Sequence, residues 1–394
     1  MTWMTFAVFV LCTFLLGGCW DQRGLSTITV ITGMAIDKGK NGKYRLSVEG
    51  INAQELNAKT SSGYAPSLVL SLEGNTVSEL TQKMSIKGSR NLVYSHMRTL
   101  IISKELAREG MLQFLDYLER NREIRDDFNI LIARNGKAED ILRVTYPFQK
   151  STSLKLHSQL ETMVKNWGGD PDVRLNEVIS AWRSAGRQPV MAAVALQGNP
   201  KKGISVDNMK KLTPDALVVL DSLAVFKKGK LLGFLSLTDS RNYLWIEDNL
   251  KRTAMSVACG KNRYIAVQFY NSKARTKARI VLGSPEIHLN IRTESYLDGT
   301  QCKDDLKKVA TFKKYEKLIE KGIKKNVETT IKKAQQKYHV DIFGFGEAAM
   351  QQDYRNFKKI KSHWDESFTD AELYVYVKVN LRRSGIRTKT LLKD

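Results

Sequence analysis

Apolar side chains recur every three or four residues along Lys303–Tyr338, at Leu306, Val309, Phe312, Tyr315, Ile319, Ile323, Val327, Ile331, Ala334 and Tyr338. That period lays one continuous stripe along a long helix. The same stretch holds 12 lysines against 5 acidic residues, so the far side of the helix is a basic, solvated face. Gly322 sits inside the pattern, at a cost of about 1 kcal/mol relative to alanine. Ala371–Arg383 has the other period. Ala371, Leu373, Val375, Val377, Val379 and Leu381 alternate with Glu372, Tyr374, Tyr376, Lys378, Asn380 and Arg382, which predicts a strand with one buried face.

Shorter patterns fill in the rest of the chain. Strands are expected at Thr27–Asp37 and Lys43–Ile51, around the turn residues Gly39-Lys40-Asn41-Gly42. Ser67–Glu73 is a further strand, followed by a helix that Asn75 or Thr76 caps, with Glu79 in its first turn. Arg98–Ser103 and Phe128–Arg134 read as strands, Lys104–Arg120 as one amphipathic helix, and Lys137–Val144 as a short helix after the turn Asn135-Gly136. Gly198–Thr213 has no periodicity and reads as a linker. Beyond it Leu217–Phe226 and Lys230–Leu235 form a hairpin over Lys228-Gly229, and strands follow at Arg263–Tyr270, Lys273–Leu282 and Glu286–Tyr296. The expected fold is α+β (mixed α/β) and multi-domain, with mostly antiparallel or mixed sheets packed against helices. The expected division is a leader over 1–18, an N-terminal domain over 19–197, a linker over 198–215 and a C-terminal region over 216–394, in which two subdomains would part near 298–303.

The leader is the most apolar stretch: Met1–Gly18 contains no charged side chain. Leu16-Gly17-Gly18-Cys19 resembles the bacterial lipobox, in which the thiol takes a diacylglyceryl group and cleavage leaves that cysteine as the first mature residue. Two acyl chains, at about 0.8 kcal/mol per buried methylene, anchor stably where one chain is marginal. An uncleaved transmembrane anchor is the competing reading, because the run approaches bilayer length and no Lys or Arg precedes it. Trp20, Asp21 and Arg23 follow closely enough on Cys19 to touch headgroups or membrane subunits, and Trp20 alone suits an interfacial anchor.

Charge and chemistry narrow the classes. A net charge of +22 favours anionic partners, and a membrane surface returns about 1 kcal/mol for each nearby cation. No nucleic-acid module pattern accompanies that charge. The five histidines, at 96, 157, 288, 339 and 363, lack metal-ligand spacing, and no C-x-x-C occurs, so no metal site is expected. There is no nucleophile elbow, and Gly344-Phe345-Gly346 lacks the third glycine of a dinucleotide loop, so it reads as a backbone bend. Asp365 and Glu366 remain as hydrolase candidates, though neighbours on a helix do not share a face. The chain is therefore expected not to be an enzyme and to need no cofactor beyond the lipid on Cys19. Cys259 and Cys302 are left open as a pair, because a bridge needs Cα atoms within about 7 Å.

Several stretches together resemble one family. Gly18-Cys19-Trp20-Asp21-Gln22-Arg23 is similar to the start of mature Ger(x)C lipoproteins, the C subunits of spore germinant receptors. Val30–Lys38 is similar to that family's first strand, which ends in an aspartate (Asp37 here), and Gly136–Leu142 to its mid-domain helix. Asp341-Ile342-Phe343-Gly344-Phe345-Gly346 with Trp364 resembles its C-terminal signature, and the last strand into Arg383-Ser384-Gly385 closes the match. Gly24 departs from the pattern, which usually has an acidic residue there. The resemblance implies a lipid-anchored subunit on the outer face of the spore inner membrane, assembled with two polytopic subunits of A and B type and without catalysis of its own. A solute- or wall-polymer-binding lipoprotein is the alternative from the residues alone.

Overall fold

The computed structural model describes residues 27–382 except 58 and 60. A first, mixed sheet contains β1 (Ile28–Lys38), β2 (Tyr44–Ile51), β3 (Ser67–Gly74), β4 (Asn91–Val93), β5 (Thr99–Ser103), β6 (Asn129–Ala133), β7 (Val190–Gly198), β8 (Ala216–Lys227) and β9 (Lys230–Ser236). Their order is β3-β2-β1-β5-β6-β7-β8-β9, with β4 beside β1. The centre is parallel and both flanks are antiparallel. Parallel strands are covered on both faces, so β5 and β6 are buried at every position and show no alternation in sequence. One face packs against α1 (Val77–Lys83), α2 (Lys104–Glu109), α3 (Leu112–Arg120) and, further along, a helix at Leu175–Arg183. The other packs against α4 (Ala138–Leu142) and α5 (Thr152–Asn166); the helix Leu175–Arg183 is α6.

Thr76, one of the two expected caps, accepts the Glu79 N–H at the start of α1. The single helix expected over Lys104–Arg120 is two. Gly110 takes φ +133°, and the Met111 N–H leaves the helical ladder to donate to the Gly229 carbonyl at 3.1 Å. Leu106, Met111, Phe114, Leu115 and Leu118 nevertheless face one core, so the apolar period continues through the break. The β8–β9 hairpin turns at Lys228 and Gly229, both left-handed, as a two-residue turn between twisted strands requires.

Residues 198–215 join two hydrogen-bonded neighbours of one sheet through the one-turn helices Pro200–Gly203 and Asp207–Lys210. The first sheet therefore runs to Ser236, and β8 and β9 belong with it rather than with the strands downstream. From there α7 (Leu237–Ile246) leads out, and eight consecutive residues, Asp239 to Ile246, are buried. A helix enclosed on all sides has no polar face, which is why no amphipathic period marks it.

The second sheet has the order β10 (Thr253–Gly260), β11 (Arg263–Val281), β12 (Ser284–Thr300), β13 (Glu372–Arg382). The two strands expected over Arg263–Leu282 are one, which passes irregularities at Ala266/Val267 and Phe269/Asn271. Between β12 and β13 come α8 (Val309–Lys333), α9 (Phe345–Gln352), α10 (Tyr354–Ile360) and α11 (Trp364–Thr369). α8 buries Tyr315, Ile319, Ile323, Val327 and Ile331 against the sheet, while Val309 stays exposed and the last turn, Ala334–Tyr338, widens to π geometry. Gly322 lets α8 cross β10 closely: a Cβ there would lie 3.1 Å from the Met255 methyl. Glu316 and Glu320 of α8 accept the free edge N–H groups of Leu381 and Val379. No division falls near 298–303. Strands before it and helices after it share one core, and Cys259–Cys302 form a disulfide with Cα atoms 6.4 Å apart.

Candidate functional site at the junction of the two sheets

The Asp341–Gly346 segment begins where α8 ends. His339 turns the chain in the left-handed region, and Asp341 follows fully buried. One carboxylate oxygen accepts the Phe343 N–H at 2.9 Å; the other accepts the Gly346 N–H at 2.8 Å and the Trp364 Nε1–H at 3.0 Å. Burial pushes this carboxyl up to about 7, against the pull of those three donors. Gly344, at φ +71°, starts α9, and Phe343, Phe345, Phe368 and Trp364 pack ring to ring around the bend. Gly346 is needed for a close approach: a Cβ there would lie 2.6 Å from both the Gly186 Cα and the Trp364 indole. The Gln188 N–H donates to the Asp341 carbonyl at 2.7 Å, so the bend locks the second sheet's helices onto the chain just before β7.

Asp341, Phe343, Gly344, Phe345, Gly346 and Trp364 are thus brought together, as one packed joint. Asp365 touches its edge, accepting the Asp341 N–H at 3.4 Å, but Asp365 and Glu366 do not converge. Asp365 is half-buried facing Lys227 at 3.4 Å, whereas Glu366 is exposed, so they share no site.

Beside the joint lies a cavity of about 440 Å³, lined by Asn176, Glu177, Arg187, Tyr243, Glu247 and Glu347 among others. Arg187 holds it closed on one side. Its guanidinium donates to the Tyr243 hydroxyl at 2.6 Å and to the Glu247 carboxylate, and lies 3.6 Å from Glu347. Burial pushes Glu247 up to about 7 although Arg187 opposes the shift. These residues come from α6, the turn before β7, α7 and α9, and no local motif marks any of them. One guanidinium thus ties the end of α7 to α9 through Glu247 and Glu347, which is the chemistry of a clamp. Among the described residues no group of three His, Cys, Asp or Glu is placed to hold a metal ion.

The first sheet has its own buried nodes, and they join motifs far apart in sequence. Asp37, at the end of β1, accepts the Ala138 and Glu139 N–H groups at 2.8 and 2.9 Å, so it caps α4 from outside the helix. Glu139 in turn takes Arg45 at 2.6 Å and the Ser71 hydroxyl at 2.7 Å. Glu49 does the same for α5, accepting the Thr152 and Ser153 N–H groups at 2.9 and 3.0 Å. Both carboxylates meet the positive end of a helix.

Cys19, Trp20, Asp21 and Arg23 lie outside the described residues. No helix among the described residues is long and apolar enough to cross a membrane.

Two family models match in order: the spore germination protein N-terminal domain over 21–196, and the spore germination B3/GerAC-like C-terminal domain over 221–385. Spore germination protein KC of Bacillus subtilis (strain 168) is 28% identical over 391 residues, covering 97% of this chain and 96% of the relative. Spore germination protein B3 of the same organism is 23% identical over 381 residues, covering 94% and 93%. The crystal structure of the GerBC protein superposes with a TM-score of 0.58 at 20% identity, covering 89% of this chain and 96% of that one, and so shares the fold. With both models matched in sequence over most of its length, the chain belongs to the GerAC-like spore germination family, that of the germinant receptor C subunits.

Proposed function

We propose that this protein is the C subunit of a nutrient-sensing spore germinant receptor, held to the outer face of the inner membrane by a diacylglyceryl group on Cys19. It docks with two polytopic subunits and carries out no reaction itself. The observation that carries this reading is the ordered match of both family domains over 21–196 and 221–385. The family-like stretches at Asp37, Glu139 and Asp341–Gly346 are engaged in capping and packing, which suits a body whose form serves docking. Trp20, Asp21 and Arg23 then act in the tether at the membrane surface.

The test is a pull-down from spore membranes with the lipidated protein. Two polytopic proteins are expected to co-purify, and Cys19→Ala should take up no lipid precursor while its body stays folded. Labelling of Cys19→Ala would overturn the anchor, and absence of polytopic partners would overturn the receptor assignment. The 440 Å³ cavity favours one second reading, a solute-binding lipoprotein. That reading requires a small molecule to protect the body thermally, and loss of that effect in Arg187→Ala.

A further inference from the structure

α8 and the short helices cover one face of the second sheet and leave the other bare. On the bare face of β11, Lys273, Arg275 and Lys277 are exposed in succession, as are Arg292 on β12 and Lys378 on β13. The strand register sets Lys273 opposite Arg292 and Arg292 opposite Lys378, a row of three cations across three strands. Like charges directly opposite in a sheet destabilise it. The next two rows are Arg275–Asn290–Tyr376 and Lys277–His288–Tyr374. At strand spacings of about 4.8 Å and side-chain repeats of about 6.8 Å, the five cations fall within roughly 10 by 14 Å.

Little on the protein neutralises them. Arg275, Lys277 and Arg292 have no ion pair or side-chain hydrogen bond among the described residues, and Lys273 and Lys378 reach only Asp248 and Glu320 at the margins, at 3.5 and 3.3 Å. The carboxylates flanking the patch on this face are already engaged: Glu286 by Arg279 and His288, Glu294 by Tyr270 and Arg382, Glu372 by Tyr374. Tyr374 and Tyr376 are 40% and 53% exposed, and the His288 ring stacks near both, at 4.8 and 6.4 Å between centroids. The face thus sets three cations without a partner among the described residues, Arg275, Lys277 and Arg292, between two that are paired only at the margins, beside two exposed tyrosines.

We propose that this face lies flat against an anionic phospholipid bilayer, with Arg292 at the centre of the contact. A headgroup layer supplies mobile phosphates that gather under fixed cations, and tyrosine rings settle at headgroup depth. The repulsion built into the cation row is then relieved on docking. The inference rests on the lipid-anchored reading for the presence of a bilayer nearby, but its test needs no anchor, so the two fail separately.

The test uses the mature chain from Trp20 onward, which carries neither the apolar leader nor the lipid on Cys19, and sedimentation with vesicles of phosphatidylcholine alone or mixed with phosphatidylglycerol. Binding is expected only to the anionic vesicles, and should vanish at about 1 M salt, where the Debye length falls to about 3 Å. Adding Arg275→Gln, Lys277→Gln and Arg292→Gln should weaken binding about 100-fold. Neutralising Lys317, Lys321 and Lys325 of α8 removes the same charge elsewhere and should cost less than about fivefold. Thermal melts separate folding from docking, and Arg292→Gln should raise Tm because it breaks the like-charge row. Equal loss in the two triple variants, or no preference for anionic vesicles, overturns the proposal. So does vesicle binding that survives the sheet triple while co-purification with membrane subunits is lost, which would assign the face to a protein partner.

Discussion

Replacing Asp341 by alanine tests the joint between the sheets, and its effect should depend on pH in a particular direction. The substitution orphans three buried donors, the N–H groups of Phe343 and Gly346 and the Trp364 indole N–H. At roughly 1–3 kcal/mol for each unsatisfied group, and with some relaxation, the loss is about 3–6 kcal/mol when the wild-type carboxyl is protonated. The native carboxyl is pushed up to about 7 from 3.8 by burial. Between these values the folded protein holds a proton that the unfolded chain has released, so wild-type stability falls as pH rises through this window. From about pH 5 to about pH 8 the fall due to this group is about 3 kcal/mol. Alanine cannot titrate, so the cost of the substitution should shrink by about that amount over the same interval. Asp170, also pushed up to about 7 by burial, is unaffected by the substitution and cancels in the difference, whereas Glu247, which the Asp341 charge helps to raise, shifts downward in the variant and adds a smaller change of its own. Urea unfolding of both proteins at about pH 5 and about pH 8 measures it. A pH-independent cost, or one that grows with pH, would rule this account out, because the carboxyl would then be ionised throughout or stabilised by ionisation.

Three further outcomes follow from the packing. Removing the Cys259–Cys302 bridge, which closes 43 residues, should lower stability by about 4 kcal/mol on the chain-entropy model; melts of the double serine variant and thiol titration of the unfolded wild type check the loss and the bridge. Gly186→Ala places a Cβ 2.5 Å from the Glu347 N and should cost about 1–3 kcal/mol by overpacking, seen as a lower urea midpoint. Asp37→Ala uncovers two N–H groups at the start of α4 and should cost about 1–2 kcal/mol, with hydrogen exchange speeding up first at Ala138 and Glu139.

The long basic helix, the alternating last strand, the β8–β9 turn and the mixed α/β class were all legible, because each rests on a repeat between near neighbours. The same logic explains the misreadings. α7 is enclosed on all sides and carries no period, and the apolar repeat over Lys104–Arg120 runs through a break that only the Gly229 carbonyl reveals. The Asp341–Gly346 segment could be singled out as a bend, but the reason for its glycine lies in Gly186, 160 positions earlier. Arg187, Tyr243 and Glu247 had no signal at all, since their pairing joins three separate elements. The cation row is the sharpest case. Lys273, Arg292 and Lys378 are ordinary as separate residues, and only strand register makes them neighbours. The order of residues alone thus dictated which stretches coil, which extend and which family their motifs resemble. Which distant charges and glycines meet was left to the folded chain, because those encounters depend on how sheets align and not on local spacing.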